Sequence, residues 1–445
     1  MNPRKSLQVI YPHSAGVDIG SKEIFVAVPA SQEGASVRCF GTYTADLLAL
    51  RDFLVSYSIT TVAMESTGIY WIPLYDLLSQ GGLDVLLVNP SEVKQVPGRK
   101  SDVADCQWIQ ELHSLGLLRG GFRPSDGACE VRELMRQRQR LVSDAARQVQ
   151  HMQKALLQMN LQLPQVVSDI TGQTGLSIIE AILGGERNPE TLARLRNGRC
   201  KRDEATIAKA LQGTWRKEHL LSLRHAHELW THYQRLREET EHALCESLEA
   251  RFADIERPPQ EPPTISESEK RKTSDFSEPV REVWERKTGV DLMQIEGVSA
   301  ATASMLLGEV GLDIGRFKSA KHLASWAGLC PRHAISGGKV LRNKSGRSNR
   351  FGQALRLAAW GLKNSKGPMG SYYRSLVLRK GTPKAIVATA HKLLRIIYAL
   401  LTQGAEYSKS MLDTLSKSQL EKKMNHLKRQ AKAAGMQLVP MPVAS

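Results

Sequence analysis

Cysteine is scarce in this sequence and never closely paired. Six cysteines among 445 residues stand at positions 39, 106, 129, 200, 245 and 330, and none belongs to a Cys-x-x-Cys pair. That spacing argues against a zinc module and against a disulfide framework. Long apolar runs are also missing. No uninterrupted run approaches the roughly 18 residues of a membrane span, so no membrane partner is expected. The opening MNPRKSLQVIYPHS has basic residues but no continuous apolar core, which argues against a signal peptide. The apolar share of 41% is ordinary, so wholesale disorder is not expected either. Acid is what one long segment lacks most. Between Lys318 and Lys409 there are 18 Lys and Arg against a single acid, Glu406, a net +17 that accounts for about the whole chain's +16. Trp326, Trp360, Tyr372 and Tyr373 are interleaved with that charge. Such a segment points to a polyanion, and to nucleic acid in particular.

A chain of 445 residues leaves room for about three domains. The first, 1–125, reads as α/β. AGVDI (15–19), IFVAV (24–28) and SVRCF (36–40) are short β-type runs broken by turn-forming residues. A helix is predicted over 45–57, a strand over 60–64, a helix over 71–80 and a strand over 84–88. Three strands, helix, strand, helix, strand is the order of a ribonuclease-H-like sheet, although a generic α/β fold has the same ingredients. A helix over 100–116 follows. Residues 126–255 read as a helical, coiled-coil middle. Val142, Ala145, Val149, Met152, Leu156 and Met159 form a seam at alternating spacings of three and four. The seam suits a partner helix in the same chain or in another subunit. Residues 256–283, rich in Pro, Ser and charge, read as a flexible linker. A helical C-terminal domain is expected over 284–407 and a basic tail over 408–445.

Four carboxylates in the first domain stand out. Asp18 lies in the first strand and Glu65 ends the fourth, while Asp102 and Asp105, three apart, share one face of the following helix. The first and fourth strands are neighbours in a ribonuclease-H-like sheet, so the helix across their ends can bring all four together. Gathered carboxylates repel, and a hard divalent cation such as Mg²⁺ relieves the repulsion. Two such ions can act on a phosphodiester. Singly, each residue reads more readily as a turn, a loop edge or a first-turn helix carboxylate, and the weight rests on the set in this strand and helix order.

In the last domain, IEGVSAATASMLLGEVG (295–311) reads as a helix-hairpin-helix with Gly297 at its turn, a device that offers backbone N–H groups to a DNA phosphate. Its bland counterpart is a hairpin used only for packing. A basic loop follows, holding Ser336 before Gly337 and Gly338, with Ser345 and Ser348 as rival serines. Arg332, Lys339, Arg342, Lys344, Arg347 and Arg350 are the candidate phosphate contacts there. Local chemistry does not choose among the three serines.

The motifs GVDIGSKE, AMESTGIYWIPLYDLL, NPSEVKQVPGRKSDVADC and IEGVSAATASMLLGEVG, followed by FKSAKHLASWAGLCPRHAISGG, resemble those of the DEDD transposases of insertion sequences, which are bridge-RNA-guided serine recombinases. The resemblance covers about 14–118 and 284–400. It implies a RuvC-like domain in which Asp18, Glu65, Asp102 and Asp105 bind Mg²⁺, and a serine nucleophile at Ser336. It also implies target and donor DNA and a noncoding bridge RNA as partners. The assembly would be a dimer of dimers, the carboxylates of one subunit meeting the serine of another. Strand exchange would pass through a 5′-phosphoserine link. A cytoplasmic place at the prokaryotic nucleoid follows. Ser101 stands where the family commonly has Thr, and the middle region, linker and tail are longer than in compact members. The rival readings are a Holliday-junction resolvase-like metal nuclease using only the carboxylates, an actin-type ATPase, and a non-enzymatic nucleic-acid-binding protein. The ATPase would need a second phosphate-binding hairpin, for which Asp313-Ile314-Gly315 is a poor candidate, and the intact carboxylate set argues against the non-enzyme.

Overall fold

A computed structural model of the chain describes residues 8–29, 36–66, 68–89, 101–121, 123, 126–252, 277–289, 291–311, 314–336, 339–345 and 348–403, with several positions between 421 and 436. For the strands between 331 and 345 the backbone is described. Residues 256–276 of the expected linker, Arg347 and most of the expected tail lie outside the described residues. The chain divides into two compact units, Met1–Arg123 and Pro124–Ser445.

The first unit is a mixed α/β domain. Its elements are β1 (Ser14–Ile19), β2 (Ile24–Ala27), β3 (Val37–Phe40), α1 (Thr44–Ser56), β4 (Thr61–Glu65), α2 (Trp71–Gln80), β5 (Asp84–Val88) and α3 (Asp102–Ser114). The sheet order is β3-β2-β1-β4-β5. β1 runs antiparallel to β2 and parallel to β4, and β4 runs parallel to β5. β1 and β4 sit centrally and are almost wholly buried, which suits their β-branched and small apolar residues. Leu50 and Leu54 of α1 and Leu74 and Leu78 of α2 are fully buried in the core against the sheet. Each contributes about 1.5–3 kcal/mol by leaving water. Near the other end of β4, Thr61 Oγ1 lies 2.9 Å from Nε2 of the buried His113, tying α3 to the sheet.

The second unit is mostly helical. It begins with α4 (Asp126–Gln158), α5 (Leu163–Val166), α6 (Gln173–Leu183), α7 (Pro189–Arg194), α8 (Glu204–Ala210) and α9 (Lys217–Phe252). The seam expected on α4 is occupied from within the chain by α9. Ala145, Met152, Leu156 and Met159 are buried. Arg138, early in α4, meets Glu241, late in α9, at 2.7 Å, while Met152 shares a core with Leu223 near the start of α9, so the two helices are antiparallel. The smaller helices α6, α7 and α8 close the far end of this pair with Ile178, Ile182, Leu192 and Ile207.

The remaining elements are α10 (Ser277–Thr288), α11 (Ala300–Val310), α12 (Ala320–Trp326), β6 (Pro331–Ser336), β7 (Lys339–Ser345), α13 (Arg350–Gly361), α14 (Pro368–Lys380) and α15 (Thr382–Gln403). Two sequence expectations change here. The linker assigned to 256–283 is interrupted by α10, which starts at Ser277 because Val280 and Val283 find a core to enter. The basic stretch around Ser336, read as a loop in a helical domain, is an antiparallel β-hairpin. His-Ala-Ile and Lys-Val-Leu are short runs with β-formers, and Gly-Gly separates them. Among the described residues, α15 is long and apolar enough to cross a membrane by length and composition, but half of that stretch is buried inside the unit. Leu393, Leu394, Ile396 and Ile397 supply its buried face.

A buried ion pair joins α4 to α11. Glu309, at 8% side-chain exposure, receives Nε and Nη2 of Arg136 at 3.2 and 3.1 Å, and Arg132 donates to the Gly308 and Glu309 carbonyl oxygens at 3.0 Å each. Removing the carboxylate takes the counter-charge from Arg132 and leaves Arg136 with only the exposed Glu133, 3.2 Å away. Glu309→Ala is expected to cost about 3 kcal/mol, the low end for a broken buried pair because Arg136 is partly solvated. Chemical denaturation of the full chain measures this, and a loss below about 1 kcal/mol would refute the pair's stabilising role.

Candidate active site

One set of candidate residues is centred on the carboxyl ends of β1 and β4. The register aligns Val17 with Met64, so Asp18 and Glu65 are the next residues on neighbouring parallel strands. Both are half-buried. Beyond Glu65 the chain is pinned to β5, because the Ser66 backbone N–H and hydroxyl each donate to the Val88 carbonyl oxygen at 3.0 Å.

Helix α3 crosses the same strands. It approaches closely because Gly16 has no side chain: a Cβ there would overlap the Gln110 nitrogen and the Cys106 carbonyl oxygen. Ser101 is the N-cap, its hydroxyl accepting from the Ala104 N–H at 3.2 Å. Ser is among the residues that make this cap well. Asp102 and Asp105 fall in the first turn, where the helix dipole favours negative charge.

Three of these carboxylates bear on two nearby thiols. Burial first, and then the charges of Asp18 and Asp105, push the Cys106 thiol up to about 12. Asp18 and Asp105 therefore both act on one buried thiol beneath the helix. The Cys39 thiol is also raised, by desolvation and then by Glu23 and Asp102. Asp102 is thus felt toward β3 and the β1–β2 turn, where Glu23 sits. Sequence reasoning does not single out Glu23; its place in the GVDIGSKE motif is the available signal. Among the described residues, no three His, Cys, Asp or Glu side chains converge as a metal-ligand group. The fold therefore gathers the elements bearing Asp18, Glu65, Asp102 and Asp105 at one sheet end without closing the side chains on a common point. In chemistry the set suits a hard divalent cation, since all four donors are carboxylate oxygens.

A second set of candidate residues lies in the other compact unit. Ser336 ends β6 and pairs with Lys339 at the hairpin's closed end, and Arg332 pairs with Lys344 and Ala334 with Arg342. Arg350 opens α13 and is exposed, and Asn349 caps that helix by accepting from the Gly352 N–H at 2.9 Å. Gly297 has φ +91, the left-handed conformation expected of its turn, and Leu362 fills the space a Cβ would need. A 3-10 turn, Leu292–Gln294, precedes it and α11 follows. The adjoining Glu296 is a structural clamp. Its carboxylate accepts from the Met369 and Gly370 N–H groups at 2.7 and 3.1 Å, and from the Ser365 hydroxyl, so it caps the start of α14.

Comparison with known proteins finds matches to two regions of the chain. Residues 15–161 match a transposase family of the IS110 DEDD type, and residues 291–374 match the transposase IS116/IS110/IS902 family. The chain thus carries both IS110-type transposase regions. Among relatives, the pilin gene-inverting protein of Moraxella bovis is 34% identical over 123 residues, 26% of this chain and 38% of that protein. The transposase for insertion sequence element IS1111A of Coxiella burnetii is 33% identical over 140 residues, 30% of this chain and 38% of that protein. Those two matches therefore span well under half of either relative. A transposase for insertion sequence element IS1328, from Yersinia enterocolitica, is 23% identical over 370 residues, 81% of this chain and 90% of that protein.

Proposed function

We propose that this chain is the transposase of an insertion sequence, a DNA recombinase that cuts and rejoins DNA with Ser336 as nucleophile and Asp18, Glu65, Asp102 and Asp105 as Mg²⁺ ligands. The observation that carries this reading is the meeting of Asp18 and Glu65 on adjacent strand ends under α3, in a chain whose later transposase region bears Ser336. The sheet order supports a ribonuclease-H-like, RuvC-like first domain, and the Gly297 turn with α11 supports a helix-hairpin-helix.

In the proposed chemistry, Ser336 Oγ forms a bond to phosphorus, the bond to O3′ breaks, and the serine proton passes to the departing O3′. A 5′-phosphoserine and a free 3′-hydroxyl result. The reverse attack by another 3′-hydroxyl rejoins the strand and restores the serine. Asp18, Glu65, Asp102 and Asp105 would hold Mg²⁺, which would supply charge stabilisation at the phosphodiester. Arg332, Lys339, Arg342, Lys344, Arg347 and Arg350 would grip the flanking phosphates. A bridge RNA made by the element pairs with target and donor DNA. The reading takes the active form as a dimer of dimers, with the carboxylates of one subunit meeting the serine of another.

The test is a two-plasmid assay. Expression of the chain together with its element's flanking noncoding DNA should join a marked donor segment to a target. Deleting the noncoding DNA should remove the products. Absence of any rearrangement with intact flanks would sink the reading, and products that persist without them would remove the RNA guide from it.

A further inference from the structure

Helix α4 carries a second line of charge that no motif accounts for. Arg136, Arg140, Ser143 and Arg147 recur at spacings of four, three and four, so they share one helix face, distinct from the buried seam at Met135, Ala145 and Met152. That face forms one wall of a groove of about 880 Å³. The start of α11 and the outer face of α13, from Arg350 to Leu357, make the other walls.

The chemistry of the groove is specific. Three of its four arginines, Arg140, Arg147 and Arg350, are exposed, whereas Arg136 is engaged by Glu309. One acid lines it, Asp144, paired with Arg147 at 2.8 Å, and Arg147 is still 68% exposed. The groove therefore has a positive balance. Gln139 and Gln353 add neutral donors, and Leu357, 68% exposed, adds an apolar surface among them. An apolar side chain flanked by guanidinium groups suits a sugar face between two phosphates. The walls are braced from behind: Glu309 locks α4 to α11, and the Asn349 amide donates to the Trp326 carbonyl oxygen at 3.2 Å at the start of α13. A braced, pre-formed basic groove binds without the entropic cost of first ordering its walls.

We infer that the α4–α11–α13 groove is a binding site for the phosphodiester backbone of a nucleic acid, with Arg140, Arg147 and Arg350 as its phosphate contacts. This extends the nucleic-acid surface from the basic segment beyond Lys318 onto the long helix, where the sequence pattern alone gives only a coiled-coil seam. It rests on the reading of the chain as one that acts on nucleic acid.

The experiment measures binding of the full chain to a labelled mixed-sequence DNA duplex and to a labelled stem–loop RNA over a range of salt. Every phosphate that is no longer neutralised lowers the slope of log K against log salt by about 0.9 on duplex DNA and about 0.7 on a single strand. Arg140→Gln/Arg147→Gln should lower the slope by about 1 to 2 on at least one probe. A lower slope on the duplex alone assigns the groove to DNA, and a lower slope on the stem–loop alone assigns it to RNA. Lys339→Gln/Arg342→Gln, on the hairpin, is the separate control for the general reading. A lower slope in the hairpin variant with no change in the groove variant overturns the groove and leaves that reading standing. A flat salt dependence of the parent chain overturns both. Parent slopes on both probes, with weakened self-association of the groove variant by sedimentation, would overturn the nucleic-acid role and make this face a contact between copies.

Discussion

Ser336→Ala should abolish a covalent protein–DNA adduct, while Ser345→Ala and Ser348→Ala should form it at the parent level. The three serines are close in sequence and chemically alike. The hairpin separates them. Ser336 pairs with Lys339 at the closed end, whereas Ser345 pairs with Pro331 at the open end. Five residue steps of β6 separate these ends, about 17 Å at 3.3–3.4 Å per step. A single phosphodiester cannot be served from both ends. Ser348 lies beyond the hairpin, beside the cap of α13, with its carbonyl oxygen accepting from the Gln353 amide at 3.3 Å. Of the three, Ser336 alone is followed by two glycines, which give a phosphate room to approach the backbone. Mapping the adduct by mass spectrometry after nuclease digestion decides the matter. An adduct that survives in Ser336→Ala would refute the assignment, and its mapped serine would replace it. No adduct in the parent under conditions where DNA is cut would favour a metal nuclease using the carboxylates alone.

Alanine at Asp18, Glu65, Asp102 or Asp105 should lower recombination about a thousandfold or more while leaving DNA and RNA affinity within about twofold of the parent. The first figure corresponds to roughly 4 kcal/mol of lost charge stabilisation at the reacting phosphate. The second follows from position. Asp102 is exposed and Asp18, Glu65 and Asp105 are half-buried, whereas the core of the sheet is made by Val17, Val62, Met64 and their neighbours. Removing one carboxylate therefore spares the packing and the basic surfaces of the other compact unit. Two inactive proteins, Ser336→Ala and Asp105→Ala, should regain part of the activity when mixed, since some shared sites then hold both intact halves. Near-parental recombination by any carboxylate variant would sink the shared metal site. Failure of the mixture to recover, with each variant folded and assembling normally, would place both halves in one subunit.

The sheet of the first unit is legible in the sequence because its signals are local. Strands 24–28 and 84–88 and helices 45–57 and 71–80 follow from side-chain period and turn residues alone, and they fall within a residue or so of the observed elements. The four carboxylates are legible for the same reason, each attached to one recognisable element. What a sequence cannot contain is the distance between elements. That Gly16 admits the backbone of α3, that Asp18 and Asp105 both press on Cys106, and that Asp102 is felt at Cys39 depend on packing across the sheet. In the second unit, periodicity finds the apolar seam of α4 but does not say which helix fills it, since any apolar stripe of matching pitch would serve. α9 fills it because 58 intervening residues, folded as α5 to α8, return the chain antiparallel and close the end of the pair. The basic stretch around Ser336 reads as a loop because Lys and Arg are weak strand formers, and pairing between two short strands outweighs that preference. The arginine face of α4 is the clearest case. Its spacing is written in the sequence, but a row of arginines on a helix is ordinary until α11 and α13 stand opposite it and turn a solvated face into a groove.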